Sequence, residues 1–201
     1  MNNKGIKDGI HGRIESLPED AAFTASDFAD IADSQNARQA LKELADAGTI
    51  GRATRGVYYK PRYSELLGQA VPPDVDKVAH AVARARGWEI APSGDHALNM
   101  LGLDTQVPAV YAYISSGPYA SVRIGPYDVR FKHAANRNIV GMSQTSALVV
   151  QALKALGKDG ADDYIIARIS ARLSAHDKEN LLAETERATS WVREAVRKIA
   201  L

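Results

Sequence analysis

SQNARQALKELADAGTIGRATRGVYYKP, residues 34–61, reads as a helix, a sharp stop and a short ribbon. On a helix, side chains at i, i+3, i+4 and i+7 share a face. Ala37, Ala40, Leu41, Leu44 and Ala47 make an apolar stripe at that spacing, while Gln35, Arg38, Gln39 and Lys42 recur on the other side. Asp33 or Ser34 is the expected N-cap, and Gly48 the left-handed stop. Two short strands are expected next, Thr49–Arg52 and Gly56–Lys60, with RATRG as the turn.

Upstream, Ile6, Ile10 and Ile14 recur every four residues, which predicts a helix over 4–16 that ends at Pro18. Thr24 and Asp27 form a capping-box-like start for a short helix that turns Phe28 and Ile31 inward. Three helices followed by a two-stranded ribbon is the winged-helix order. The outer side chains of the third helix suit a DNA groove. Arg pairs with guanine, Gln with adenine, and Lys neutralises phosphate. Free N–H groups at a helix start also suit a phosphate. The expected DNA contacts are therefore Ser34, Gln35, Asn36, Arg38, Gln39 and Lys42 from the helix, and Arg52, Thr54, Arg55 and Lys60 from the ribbon. An ordinary solvated helix carries similar residues. The charge distribution favours the DNA reading: residues 1–33 hold three basic against seven acidic side chains, and residues 34–63 hold six against two.

The whole chain has 201 residues, is 45% hydrophobic and 24% charged, and carries a net charge of +1. Those values describe a globular chain of one large or two small domains. No cysteine is present, which excludes disulfides and thiolate metal sites and fits a reducing, cytoplasmic setting. The start has no apolar run of signal-peptide length. No stretch approaches the ~18 apolar residues of a membrane span. The expected architecture is α+β. It has a winged helix-turn-helix over 1–62, a connector over 63–74 marked by prolines, and a mixed α/β domain over 75–201 that ends in a helical bundle. In that domain a helix is expected over 75–86, a strand at Trp88–Ala91, a small helix at Asp95–Leu101, strands over 109–115, 119–124 and 127–133, and helices over 143–156, 162–173, 177–186 and 189–200. Arg123, Arg130, Lys132 and Arg137 form a possible second basic surface there, either phosphate-contacting or an ordinary wet sheet face.

FTASDFADIADSQNARQALKELADAGTIGRATRGVYYKP at 23–61, APSGDHALNMLGLDTQVPAVYAYISS at 91–116 and YDVRFKHAANRNIVG at 127–141 together resemble the AbiEi family of antitoxins. The resemblance implies membership of a type IV toxin–antitoxin system that acts in abortive infection and phage defence. It implies an N-terminal domain that binds an operator and represses its own operon. It also implies a C-terminal domain that counteracts a nucleotidyltransferase-like toxin without the need for a stable complex. An operator built as an inverted repeat would engage two copies.

Two other classes stay open. One is a transcription factor whose second domain senses a ligand, with Tyr111, Tyr113, Tyr119 and Tyr127 as candidate pocket residues. The other is an enzyme acting on nucleic acids or nucleotides. The sequence names no catalytic, cofactor or metal residues for that option. His11, His80, His96, His133 and His176 show no metal-ligand spacing, and no Gly-rich phosphate loop is present. Asp95–His96 and His176–Asp177 are adjacent pairs that point apart on a helix. Asp177 reads as an N-cap, and His133, if it lies inside the sheet, as a satisfied core residue rather than a ligand.

Overall fold

Ile6, Ile10 and Ile14 are all buried along helix α1 (Asn3–Glu15), in a computed structural model that describes residues 3–66, 68–106, 108–134 and 141–201. Lys60 Nζ donates to the carbonyls of Glu15 and Leu17 at 2.7 and 2.9 Å, so a cation closes the negative end of α1. Strand β1 (Ala22–Thr24) follows, and the Asp27 carboxylate accepts from the Thr24 backbone N–H at 2.7 Å to open one tight helical turn, Ala25–Phe28. Phe23 and Phe28 meet edge to face at 5.6 Å in the core beneath.

Helix α2 (Ser34–Asp46) starts at Asp33 and buries Ala37, Ala40, Leu41 and Leu44. It stops in a Schellman arrangement: Thr49 N–H donates to the Leu44 carbonyl and Gly48 N–H to Ala45, both at 3.0 Å, with Gly48 at φ 75°. The ribbon is β2 (Gly51–Thr54) and β3 (Val57–Tyr59), with Gly56 at φ 76° in the turn. The turn is shorter than expected, because Arg52 and Thr54 pair with Tyr58 and Val57. The extra residue between them, Ala53, makes a bulge that sharpens the local twist. β1 pairs with the far side of β3, so the sheet has three antiparallel strands in the order β1-β3-β2.

The proline-marked connector is not structureless. β4 (Arg62–Ser64) and β5 (Gln69–Val71) form an antiparallel pair within it. Helix α3 (Val75–Ala85) then packs on the first sheet, and Arg84 donates to the Asp27 carboxylate at 3.0 Å and to the Ala22 carbonyl at 3.1 Å. The chain divides into two compact units. One takes the chain up to Gly87 together with Val122–Tyr127; the other takes Trp88–Ser121 and the chain from Asp128 onward. The boundary expected at 62–75 therefore moves to Gly87. The apolar face of α3, with Val75, Val78, Ala79 and Val82 buried, closes the first unit rather than opening the second.

A four-stranded mixed sheet follows, β6 (Ile90–Pro92), β7 (Val110–Ser115), β8 (Ala120–Ile124) and β9 (Tyr127–His133), in the order β6-β7-β9-β8; β6, β7 and all of β9 but Tyr127 belong to the second unit. β6 runs antiparallel to β7, and β7 parallel to β9. The alternation in β9 holds, with Val129 and Phe131 buried and Asp128, Arg130 and Lys132 exposed. Helix α4 (Asp95–Met100) lies between β6 and β7 in sequence. Helices α5 (Gln144–Gly160), α6 (Asp163–Ser170), α7 (Ala175–Glu184) and α8 (Ser190–Ala200) complete an α+β fold with a helical end. α5 breaks at Gly157, where φ 71° and ψ 174° leave the helical region, as the glycine there predicts. Leu153, Ile169, Leu181, Val196 and Ile199 fill the helical core. Glu184 at the end of α7 accepts from the backbone N–H and hydroxyl of Ser143 at 2.9 Å each and ties that end to the start of α5. Asp177 is not the N-cap of α7. Ser174 holds that position, and Asp177 returns the capping-box bond to the Ser174 N–H at 3.1 Å.

Candidate nucleic-acid interface

Helix α2 presents two flanks. At about 100° per residue, Ser34 and Arg38 fall on one side of the solvent face, Gln35 and Lys42 at its centre, and Asn36 and Glu43 on the other side. All of these except Glu43, which is half-buried, are exposed, and so is Gln39. On the Asn36 side the polar groups are tied together. Asn36 Nδ2 donates to Asp33 at 2.6 Å, Gln39 Nε2 donates to Glu43 at 3.0 Å, and Lys7 Nζ of α1 stands 3.5 Å from the other Glu43 oxygen. The Gln39 and Lys7 bonds hold the Glu43 carboxyl below its ordinary pKa.

On the other side the Arg38 side chain makes no hydrogen bond or ion pair among the described residues, and neither do the side chains of Lys42, Arg52 or Arg55. Elsewhere in the same unit Arg13 pairs with Asp30 at 2.7 Å, Arg84 with Asp27 at 3.0 Å and Arg62 with Asp20 at 3.9 Å, while the side chains of Lys4, Lys77 and Arg123, like those four, make no such bond among the described residues. Ser34 and Arg38 of α2 and Thr54 and Arg55 of the ribbon line one open groove of about 770 Å³. The structure thus brings four of the expected residues together across two elements. Arg52 stands exposed on β2, and Gln35 and Lys42 on the outer face of α2.

Two expectations change. Lys60 is used at the end of α1, where its ammonium already has two carbonyl partners, so it is not a free ribbon cation. The start of α2 does not offer its N–H groups to a phosphate either. The Asp33 carboxylate accepts from the Gln35 and Asn36 N–H groups at 3.0 Å each. The Asn36 backbone and side-chain bonds, with that of Gln35, hold the Asp33 carboxyl below its ordinary pKa, so a negative charge sits at that helix start.

Of the second basic surface, Arg130 and Lys132 share the open face of β9 and Arg123 is exposed on β8, the neighbouring strand, while Arg137 lies outside the described residues.

The enzyme and ligand-sensing candidates do not converge. His96 is buried between the rings of Tyr111 and Tyr113, each 4.9 Å away, while Asp95 is exposed. Tyr113 is fully buried and stacks on Phe131, and Tyr119 is 75% exposed, so the tyrosines do not share one cavity. His133 is exposed at the end of β9 rather than in the core, with Nδ1 3.0 Å from the Gly117 carbonyl. Among the described residues no group of three or more His, Asp or Glu side chains is placed to hold a metal ion. No helix among them is long and apolar enough to cross a membrane.

A family model matches residues 9–181. The chain belongs to the DUF6088 family, described as a family of unknown function. No curated protein matches the sequence. The crystal structure of the Rv2827c protein from Mycobacterium tuberculosis is similar at a TM-score of 0.44 and 14% identity, over 98% of this chain and 75% of that one.

In this DUF6088 chain, Ser26 and Arg86 also line the groove, and neither is among the residues expected from the sequence. Ser26 belongs to the capping turn, where a serine reads as local structure. Arg86 follows α3, a helix that the sequence pattern assigns to the other domain.

Proposed function

We propose that the first unit is a winged-helix module that binds double-stranded DNA, with α2 in the major groove and the ribbon turn on the phosphate backbone. The observation that carries this reading is the clustering of four side chains without partners among the described residues, Arg38, Lys42, Arg52 and Arg55, on two adjacent elements that share a groove. Exposed cations left unpaired are free to exchange counterions for phosphates, which is the main source of affinity in DNA binding. Arg38 and Gln35 are the base-reading candidates on α2; Arg55, Arg52 and Thr54 grip the backbone. Asp33, at the helix start, repels phosphate and so favours entry from the groove side. Fluorescence anisotropy with labelled duplexes tests the reading. Binding should weaken steeply with added salt, and one sequence should be preferred over random duplex. Salt-insensitive or absent binding would contradict it.

The wider role follows from the resemblance to AbiEi antitoxins. In it the chain represses its own operon through two copies on an inverted repeat, and its second unit counteracts a nucleotidyltransferase-like toxin in the cytoplasm. A growth assay with the full chain and the neighbouring toxin gene tests this role. Arg38→Ala with Arg55→Ala should abolish repression and leave protection intact. Loss of both together would mean that protection is only repression. Failure of the full chain to protect would leave a transcription factor.

A further inference from the structure

Glu43 is an acidic side chain on the helix proposed to enter DNA, where an unneutralised carboxylate would repel phosphate. It is neutralised on the spot. Lys7 Nζ lies 3.5 Å from one carboxylate oxygen, and Gln39 Nε2 donates to the other at 3.0 Å. Lys7 is on α1, so the chain Lys7–Glu43–Gln39 anchors a surface amide of α2 to a second helix. A carboxylate only accepts hydrogen bonds. It therefore fixes the sense of the Gln39 amide, with nitrogen toward Glu43 and the carbonyl oxygen away from it. The amide nitrogen has two N–H groups and Glu43 takes one. The second N–H and the carbonyl oxygen remain, and no other hydrogen bond of the Gln39 side chain is present among the described residues. A donor and an acceptor on one planar group match the N7 acceptor and N6 donor that adenine shows in the major groove.

We propose that Gln39 is a specificity-determining residue that reads adenine, and that Glu43, held by Lys7, is the positioning residue that sets its amide. The inference rests on the DNA-binding reading above and adds the base and the device that selects it. An orientation fixed before binding leaves fewer rotamers to freeze on contact. It also disfavours the flipped amide, which would present its groups to a base in the opposite order.

The test uses the full chain and a random duplex library to obtain the preferred sequence. Each adenine in that sequence is then replaced by 7-deazaadenine, which lacks the N7 acceptor but keeps the base pair. At one adenine the wild-type chain should lose about tenfold in affinity, in line with the discrimination of a good bidentate contact. Gln39→Ala should bind the normal and 7-deaza duplexes equally at that position. Glu43→Gln, which lets the amide turn either way, should shrink the discrimination while the salt dependence stays as in wild type. Glu43→Asp, which keeps the acceptor-only carboxylate, should restore part of it. Thermal unfolding of each variant separates these effects from loss of fold. A preferred sequence whose adenine dependence survives Gln39→Ala overturns the inference alone. A library that yields no preferred sequence overturns the DNA-binding reading and this inference with it.

Discussion

The two flanks of α2 are made of similar residues but are used differently. On one, Asn36, Gln39 and Glu43 are bound to Asp33, to each other and to Lys7 of α1. On the other, Arg38 has no such partner and opens onto a groove shared with Arg55 of the ribbon. Composition alone does not separate the flanks, since both read as polar helix surface. The difference lies in what stands opposite. α1 brings Lys7 to one flank, whereas the ribbon brings only further cations and small polar groups to the other. A folded chain that pairs Arg13, Arg62 and Arg84 with carboxylates but leaves Arg38, Lys42, Arg52 and Arg55 without such partners has a surface suited to a polyanion.

The largest expected effect removes the platform under both flanks. Leu41 is fully buried beneath α2, so Leu41→Ala should destabilise the first unit by ~2–5 kcal/mol and abolish duplex binding with it. Denaturant unfolding measures the loss. Binding that persisted in the destabilised variant would separate DNA contact from the α2 platform. Next, Arg38→Ala should cost ~1–3 kcal/mol in affinity for the preferred sequence and much less for random duplex. Equal losses on the two duplexes would make Arg38 a phosphate contact instead. Arg55→Ala should act more uniformly. It should lower the slope of log affinity against log salt by about 1, with base preference unchanged.

Much of this arrangement was legible in the sequence. The four-residue spacing of Ile6, Ile10 and Ile14, the Thr24–Asp27 turn and the Gly48 stop each follow from local chemistry, and each stands where expected. What the sequence concealed depends on contacts between distant segments. β1 spans three residues, too short for a period to show, and exists because β3 offers it an edge. The amphipathic pattern of α3 predicts a helix but not which sheet it covers. Lys60 is one of several ribbon cations until the fold brings Glu15 and Leu17 to it. Arg38 and Arg55 could be named from type and position. That they share a groove, and that neighbouring polar groups are already engaged, required the structure.

The smallest expected effect concerns the packing of α3 in the first unit. Burial pushes the His80 imidazole down, but the hydrogen bond and charge of Asp76, 3.3 Å away, outweigh it and raise its pKa above the ordinary value. A raised value means that the folded state binds the proton more tightly. The stabilisation is complete below the unfolded value of about 6.5 and is lost as pH rises through the folded value. His80→Gln should therefore lower the melting temperature more at about pH 5.5 than at about pH 8.5. A difference independent of pH would mean that the pair does not titrate with folding.

The most direct measurement compares matched and unmatched cations of the same unit by duplex anisotropy at fixed salt. One variant replaces Arg38, Lys42, Arg52 and Arg55 by Gln; the other replaces Arg13, Arg62 and Arg84 by Gln, and both are checked for folding by circular dichroism. The expected result is loss of binding in the first and near wild-type binding in the second. Equal binding by the two variants, or a greater loss in the second, would contradict the assignment of DNA to the α2–ribbon face.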